Sequence, residues 1–541
     1  MSNIEEQFQL LDEKIAQTKE NLHNLHFQRN SLLPICRLPN EILALILIFC
    51  ASDVRRYSTP HWRMSWLWLT HVCQHWRAIA LGCPAMWDTP DFSKPSLARE
   101  MLVRAKLAPL YIRAAVRSDR LDRQEVLRDA LRDMTRVAEI DIGTFFPLVL
   151  DDVLPEIIQP APVLEKLCIH NQRSTDRVIL PDDFLAGNAP RLREVSLRYC
   201  MLHWGHMSKT LSGLRSLRLH GGESNRIPQS DFKAFLQAMQ TMELLQTLCI
   251  IDVFPDGDPI ILDTVTLSKL EDVMVFGSVN GCISLLNCIA SPFATSFEFT
   301  VMVSQPGDCN KALAILLHFL SIAQNYTESC HICATHGEFK IKMFDQDLRD
   351  LPFLPSVTNS RFSFGLRNRT TTSVPPSEFY DFAKRFLELL SSLRVTGIDL
   401  IHGSELPVED FIRYFGYLTA ISVQGSCAYV FIQAFCSSTS THPPGDIPFS
   451  SLKSIYLRYM DYTRCLDADA GPAAGVRLIN ALRHRSKQRK AIRSIHIKDC
   501  HNFSTKQFDE LKQVVKRAYW DYRFITDSDG EEMEYDEDSD Y

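Results

Sequence analysis

The segment Leu214-Arg-Ser-Leu-Arg-Leu219 carries the pattern on which most of this chain is built. An apolar residue is followed by two residues of any type, a second apolar residue, one residue of any type and a third apolar residue. The last three positions alternate apolar and polar, and this period of two is typical of a strand buried on one face. Leu164-Glu-Lys-Leu-Cys-Ile169 and Leu452-Lys-Ser-Ile-Tyr-Leu457 repeat the pattern closely. It therefore predicts a β-strand that occurs many times.

The pattern recurs along the chain at intervals typical of repeat proteins. Clear copies begin at Leu107, Val137, Leu164, Leu192, Leu214, Leu245, Leu270, Val395, Leu418, Leu452 and Ile492. Weaker copies end at Val301, Ile341 and Phe364, and the mean step over all copies is about 30 residues, close to the periods of solenoids. Two copies continue to Cys200 and Cys500, at a position where a cysteine satisfies turn backbone. We expect these two cysteines to be structural.

Helical patterns lie between several of these strands. They cover residues 232–239 after Ser230, 379–390 after Ser377 and 508–518 after Ser504, and each serine region is a suitable N-terminal cap. A strand followed by a helix cannot bury its own apolar face, so such units stack. We predict an irregular leucine-rich-repeat-like α/β solenoid, a horseshoe, over residues 93–525. The alternative is an ordinary α/β domain with parallel strands and crossover helices.

Residues 1–33 carry a stripe of apolar side chains that are alternately four and three residues apart. The stripe consists of Ile4, Phe8, Leu11, Ile15, Leu22, Leu25 and Leu32, with Thr18 and Arg29 as polar exceptions. This heptad-like spacing predicts an amphipathic, coiled-coil-like helix. Two interpretations remain open: weak self-association of two chains through the helix, or packing of the helix against its own chain.

The apolar pattern within residues 34–92 predicts a pair of packed helices. The first begins in Leu38-Pro-Asn-Glu-Ile-Leu43, where Pro39 suits the first helical position and Glu41 lies near the positive end of the helix dipole. Apolar residues follow at helical spacing, and they are Ile42, Leu45, Ile46 and Phe49. Because Leu43 and Leu47 make this buried helix apolar nearly all round, it needs partners on more than one side. A second helix, with Val72, Trp76 and Ile79 on one face, supplies one partner.

The order Leu-Pro-x-Glu-Ile-Leu-x-x-Ile from Leu38, Val-Cys-x-x-Trp-Arg-x-Ile-Ala from Val72, and then Pro84 to Trp87 resembles the F-box. A short helix placed before the box resembles fungal F-box proteins with C-terminal leucine-rich-repeat-like domains. The resemblance implies an all-α module that binds a Skp-type adaptor through Leu38, Pro39, Ile42, Leu43, Ile46, Val72, Trp76 and Arg77. The middle of the box is longer than usual, and its Trp62, Trp66 and Trp68 either fill the core of the box or seat it against the first repeats.

The resemblance also implies a function. An F-box protein with a repeat domain is the substrate-recognition subunit of an SCF-type ubiquitin ligase, which joins the adaptor, and through it a cullin, to a target protein held by the repeats. Such a subunit positions its target and is not an enzyme, so no catalytic residue and no cofactor are expected. The alternative is a scaffold or protein-binding repeat protein that acts without ubiquitin transfer.

Known catalytic motifs are missing from the sequence, and one cluster of possible metal ligands is present. The sequence has no phosphate-binding loop, no dinucleotide-binding glycine pattern, no nucleophile elbow and no zinc-protease helix. Its sharpest cluster is Cys330, His331, Cys333 and His336, which are the side-chain types that zinc prefers. Structural zinc sites usually take pairs of ligands from two separated segments, so this crowding favours a Cys/His-containing strand or loop. A metal-dependent or cysteine enzyme centred there is a weaker candidate.

Charge and composition limit the partners and the location. The formal charge of −7 over 541 residues gives no general case for nucleic-acid binding, and the longest apolar run, residues 42–51, is far shorter than the roughly 20 residues of a membrane span. Scattered cysteines and the absence of a leader indicate a reduced intracellular protein, cytoplasmic and/or nuclear. Basic residues at 483–493 are typical either of a segment for nuclear import or for binding acidic surfaces, or of a solvated helix end. The acidic tail, residues 526–541, is expected to be disordered.

Overall fold

The computed structural model describes most of the chain. The described residues are 2–57, 64–116, 121–145, 147–173, 178–222, 224–254, 257–291, 294–323, 329–335, 338–344, 360, 362–368, 376–392, 395–401, 417–436, 449–464 and 472–521. They form two compact units, residues Met1–Leu245 and Gln246–Tyr541. This division falls inside the range 93–525 that the sequence predicts as one repeat domain. The predicted disordered tail lies outside the described residues.

The first unit begins with helices and continues with alternating strands and helices. Its α-helices are α1 (Ser2–Ser31), α2 (Asn40–Tyr57), α3 (Gln74–Gly82), α4 (Pro95–Ala105), α5 (Leu121–Leu131), α6 (Pro147–Val153), α7 (Ser208–Leu211) and α8 (Phe232–Gln240). Its strands are β1 (Leu110–Val116), β2 (Val137–Thr144), β3 (Lys166–Asn171), β4 (Val178–Ile179), β5 (Glu194–Arg198), β6 (Cys200–Met201) and β7 (Ser216–His220). Short 3-10 helices at Pro34–Arg37, Ser65–His71 and Pro84–Met86 complete the helical region before α4.

The strands that the repeated pattern predicts in this unit are confirmed. They pair in parallel in the order β1, β2, β3, β5, β7, and from β2 onward equivalent positions of the pattern are register partners, as in Leu167, Val195 and Leu217. In β1 the register is shifted by two residues, since Ile112 rather than Leu110 pairs with Ile140. These side chains are buried, because every second residue of a strand faces the core. The opening residue of the first copy is an exception, since Leu107 is 92% exposed whereas Leu164, Leu192 and Leu214 are buried.

The second unit repeats the same alternation over a longer sheet. Its α-helices are α9 (Val279–Cys288), α10 (Asp308–Ala323), α11 (Pro376–Ser392), α12 (Ser426–Cys436), α13 (Ala474–Lys487) and α14 (Thr505–Val514). Its first strands are β8 (Thr247–Ile251), β9 (Val265–Thr266), β10 (Asp272–Ser278), β11 (Ile289–Ala290), β12 (Ser296–Val303), β13 (Ser329–Thr335) and β14 (Glu338–Phe344). The remaining strands are β15 (Phe362–Asn368), β16 (Gly397–Ile401), β17 (Ala420–Gln424), β18 (Ser454–Arg458), β19 (Ser494–Lys498) and β20 (Arg517–Trp520).

The order of strands in the second unit departs from a regular repeat at one place. The order is β8, β10, β12, β15, β14, β13, β16, β17, β18, β19, β20, and β14 runs antiparallel to both of its neighbours. The weaker pattern copies are therefore strands, as predicted. They are neighbours in the sheet, but their order there is β12, β15, β14, which differs from their order in the chain. Thr335 and Glu338 are separated by two residues, whereas a parallel connection needs about a dozen or more. This short connection requires β13 and β14 to be antiparallel.

Four of the strands that follow the pattern end in a similar turn. The residue after the strand has a left-handed φ, between 48° and 52°, at Tyr199, Asp252, Tyr459 and Asp499. The thiols of Cys200 and Cys500 then donate hydrogen bonds to the carbonyls of Arg198 and Lys498, each at 3.3 Å. Both cysteines are buried. The structural role predicted for them is thus confirmed.

The helices predicted between strands are present, with differences at their ends. Helix α14 begins with a capping box, in which the Ser504 side chain accepts from the Gln507 backbone and the Gln507 side chain accepts from the Ser504 backbone. The predicted pattern 508–518 runs too far, because α14 ends at Val514 and residues from Arg517 belong to β20. Helix α11 begins at Pro376, so Ser377 lies inside the helix and is not its cap. The chain is therefore a mixed α/β protein with a large, mostly parallel sheet.

Candidate partner-binding surface

Helix α2 has two apolar faces with opposite environments. Leu43, Leu47 and Ala51, at successive intervals of four residues, are completely buried. Three large side chains lie on other sides of the helix and remain in solvent, with Ile42 44%, Leu45 51% and Phe49 71% exposed. One face therefore belongs to the core of the unit, while the other presents apolar surface outward.

The buried face of α2 packs against α3 and the 3-10 helix Ser65–His71. The predicted adaptor-binding residues are distributed between this core and the surface. Pro39, Ile42, Val72 and Arg77 are exposed, Leu38, Ile46 and Trp76 are half-buried, and Leu43 is buried. Leu43 thus holds α2 in place, whereas the other seven expose at least part of their side chains. Sequence reasoning treated the helix as buried, and so it did not single out Leu45 and Phe49 as surface residues.

A tryptophan cluster anchors residues 64–71 of this segment. Trp66 is buried and meets Trp87 edge to face, with ring centroids 5.3 Å apart and planes at 75°. The indole N–H of Trp87 donates to the Ala80 carbonyl at 2.9 Å, which ties the cluster to α3. Trp66 therefore fills the core, as one of the two sequence interpretations proposed for the middle tryptophans. Trp68 is exposed, and Trp62 lies outside the described residues.

An ion pair with little exposure to solvent packs against this core. The Arg55 guanidinium lies 4.8 Å over the Trp66 ring, bonds the Asp88 carboxylate at 2.8 Å and donates to the Met86 carbonyl. Burial raises the pKa of Asp88, while the neighbouring Arg55 charge opposes that shift. Sequence reasoning missed this pair, because 33 residues separate its members and no local pattern joins them.

The cysteine and histidine cluster around β13 is divided between two faces of the sheet. Cys330 is fully buried, whereas His331 and Cys333 are half-buried, as expected from the alternation of a strand. The His331 ring Nδ1 lies 2.7 Å from the Asp399 carboxylate, and burial raises the pKa of the Cys330 thiol. His336 lies outside the described residues. Within the described ranges no three His, Cys, Asp or Glu side chains are arranged to hold a metal ion.

A second candidate surface lies at the C-terminal end of the sheet in the second unit. Tyr456, His496 and Tyr519 are register partners on β18, β19 and β20. Their rings are stacked at 4.5 Å and 4.4 Å between centroids, and exposure increases from the buried Tyr456 to the exposed Tyr519. Because Ile495 and Ile497 face the core from the same strand, the ring stack lies on the opposite face, which is buried at Tyr456 and reaches solvent at Tyr519.

No family model matches any part of the chain, and no curated protein shows significant sequence similarity to it.

The helices were also compared with the length and apolarity that a membrane span needs. Among the helices that the structure describes, none is both long enough and apolar enough to cross a bilayer.

Proposed function

We propose that this chain is a non-enzymatic substrate-recognition subunit of an SCF-type ubiquitin ligase. In this proposal residues 34–92 are an F-box that binds a Skp-type adaptor, and through it a cullin. Residues 93–525 are an irregular leucine-rich-repeat-like solenoid that binds a target protein. The protein would act in the cytoplasm and/or the nucleus, without a cofactor and without contact with nucleic acid or membrane.

The exposed apolar face of α2 carries this proposal. Ile42, Leu45 and Phe49 expose large apolar side chains on a helix whose opposite face is fully buried. Exposed apolar patches of this kind mark protein-binding sites, because covering them removes apolar surface from water. Pro39, Val72 and Arg77, which the F-box resemblance assigns to adaptor binding, are exposed as well.

Target binding would use the open face of the sheet. The exposed Tyr519 and the half-buried His496, which stack in line with the buried Tyr456, offer aromatic surface, and aromatic residues are enriched in protein interfaces. The mechanism is positioning: a target held beside a charged ubiquitin-conjugating enzyme experiences a high effective concentration, while other subunits make and break the bonds.

Calorimetric titration of the full chain with a Skp-type adaptor tests the proposal. The variant Ile42→Asp/Phe49→Asp should lose at least about tenfold in affinity, because a charge would be buried at the centre of the interface. Leu107→Asp is the matched control, since Leu107 is equally apolar and highly exposed but lies outside the proposed surface. The control should bind like the wild type. Equal adaptor affinity of all three proteins, or no binding by any, would refute adaptor docking through α2.

A second measurement separates ubiquitin transfer from scaffolding. The adaptor-bound chain is mixed with cullin and RING subunits, and the complex is separated by size. A complex that contains all four components is expected. Adaptor binding without cullin recruitment would favour the scaffold function.

A further inference from the structure

Helix α1 exposes an apolar stripe along its whole length. Ile4, Phe8, Leu11, Ile15, Leu22 and Leu25 are each between 50% and 63% exposed, and Leu32, directly after the helix, is 66% exposed. The helix has 30 residues, or about 45 Å of length at the usual rise per residue. The sequence left two interpretations open, self-association or packing of the stripe against its own chain. The exposure of these side chains does not fit packing against the chain itself. The stripe is free to be covered by another molecule.

The stripe has the form of a coiled-coil seam. A shallow depression of about 290 Å³ lies along it, lined by Leu11, Lys14, Ile15, Thr18, Lys19 and Leu22. Coiled coils use such depressions as holes for side chains of the facing helix. Thr18, which interrupts the apolar series, donates its hydroxyl hydrogen to the Lys14 carbonyl at 2.8 Å. Its polar group is therefore satisfied within the helix and tolerates a position in the seam.

The charges beside the seam distinguish between possible partners. Glu5, Asp12, Lys19 and His26 occupy one flanking position of successive heptads, and acidic residues precede basic ones. In a parallel pair of two copies, Lys14 would meet Lys19 of the second copy, and the two Arg29 side chains would meet in the seam. In an antiparallel pair, Asp12 meets Lys19 of the second copy, Glu5 meets His26, and Arg29 approaches Glu5. The helix is thus complementary to itself in the antiparallel direction.

We propose that two copies of this chain associate through an antiparallel coiled coil of their α1 helices. Pairing in this direction covers the stripe on both copies and places Phe8 of each helix opposite Leu25 of the other. The two copies of residues 34–92 would then emerge from opposite ends of the coiled coil. The seam is formed by α1, and at its C-terminal end His26 and Arg29 border the same cleft as Val72 and His75. The proposal needs no target protein, and it is tested in the absence of adaptor.

Sedimentation equilibrium of the full chain over a range of concentrations tests self-association. The wild type should show a monomer–dimer equilibrium, and Leu22→Asp should weaken dimerisation at least about tenfold, because an aspartate would lie in the apolar seam. Leu10→Asp is the matched control, since Leu10 is equally exposed on α1 but lies off the stripe. It should leave the equilibrium unchanged. A wild type that stays monomeric, or a dimer that survives Leu22→Asp, would overturn the proposal; the monomeric outcome would leave the stripe for a different protein.

Charge exchange tests the direction of the helices. In the antiparallel pair Lys19→Glu places two acidic side chains together, so the dimer should weaken by about five-fold. The double variant Asp12→Lys/Lys19→Glu restores opposite charges and should recover most of the affinity. A parallel pair responds differently. There the glutamate introduced by Lys19→Glu would lie beside Lys14 of the second copy, and this attraction would raise the affinity of the dimer. Tighter binding by Lys19→Glu would therefore refute the antiparallel arrangement.

Discussion

The carboxylate of Asp88 accepts a hydrogen bond from the Arg55 guanidinium at 2.8 Å, and solvent reaches less than a fifth of either side chain. Replacing Arg55 by methionine leaves the Asp88 carboxylate without its cationic partner in this core. We expect Arg55→Met to lower the free energy of unfolding by about 3 kcal/mol, measured by urea denaturation.

The control for this prediction is an ion pair of the same length at the surface. Arg99 and Glu125 are also 2.8 Å apart, but both side chains are about half exposed. Arg99→Met should change stability by less than about 1 kcal/mol. Equal losses in the two variants would show that burial of the Arg55 pair is energetically unimportant.

The two faces of α2 predict opposite effects of truncation. Leu47 is fully buried, so Leu47→Ala should cost about 2–5 kcal/mol of folding free energy through lost apolar burial and a cavity. Phe49 is exposed, and Phe49→Ala should change stability by no more than about 0.5 kcal/mol. Tryptophan fluorescence during urea unfolding follows both, because Trp66 and Trp87 lie in the same core. A comparable loss in Phe49→Ala would mean that the exposed face also supports the fold.

The strands were readable from sequence because their signal is local. An apolar residue at every second position identifies one face of a strand, and Leu167, Val195 and Leu217 follow this rule. The order of β13, β14 and β15 was not anticipated, since a repeat pattern carries no strand direction. The two residues between Thr335 and Glu338 were the available signal.

The candidate surface was less predictable for two physical reasons. A helix that is apolar nearly all round has no periodic contrast to show which face is buried, so Leu43 and Phe49 looked alike in the sequence. The contact between Arg55 and Asp88 depends on how distant segments pack, and that information is not local. The tryptophan that fills the core, Trp66, was recognisable only as one of three candidates.

The ring stack on β18, β19 and β20 predicts a pH dependence of stability. Burial lowers the pKa of His496 to about 4, below the ordinary value of about 6.5 that applies to the unfolded chain. The unfolded state therefore binds more protons between these pH values, and the stabilising contribution of neutral His496 is lost as pH falls from 6.5 towards 4. His496→Phe keeps a ring between Tyr456 and Tyr519 but cannot titrate.

Thermal unfolding at pH 7.5 and pH 5 tests this dependence. The drop in Tm on acidification should be smaller in His496→Phe than in the wild type. His484→Phe serves as a control, because His484 is exposed on α13, and it should keep the wild-type drop. An unchanged drop in His496→Phe would show that His496 does not contribute to the acid sensitivity.

Thiol reactivity should separate the buried cysteines from the exposed one on α2. Burial raises the pKa of Cys282 and of Cys500 to about 12, so almost no thiolate is present at pH 8. Cys50 is exposed. Brief alkylation of the native protein with iodoacetamide should label Cys50 well before Cys282 and Cys500, as read by peptide mass spectrometry, and urea should abolish the difference. Rapid native labelling of Cys500 would contradict its position in the turn after β19.

Helix α13 offers a comparison of two arginines from one basic run. Arg485 is buried, donates to the Phe449 carbonyl at 2.7 Å and lies 4.7 Å over the Phe435 ring, and burial lowers its pKa to about 10. Arg485→Ala leaves that carbonyl without this donor and removes a packed side chain, so we expect a loss of about 3 kcal/mol in the free energy of unfolding.

Arg483, two residues earlier, bonds Glu510 at 3.0 Å at the surface, and Arg483→Ala should cost less than about 1 kcal/mol. Chemical denaturation followed by circular dichroism measures both variants. The sequence favoured either a solvated helix end or a nuclear-import signal for residues 483–493, and both interpretations require exposed cations. A large loss of unfolding free energy in Arg485→Ala, with a small loss in Arg483→Ala, would assign Arg485 to the core. Only its basic neighbours could then serve as a solvated helix end or as a nuclear-import signal. Equal small losses would contradict the buried position of Arg485.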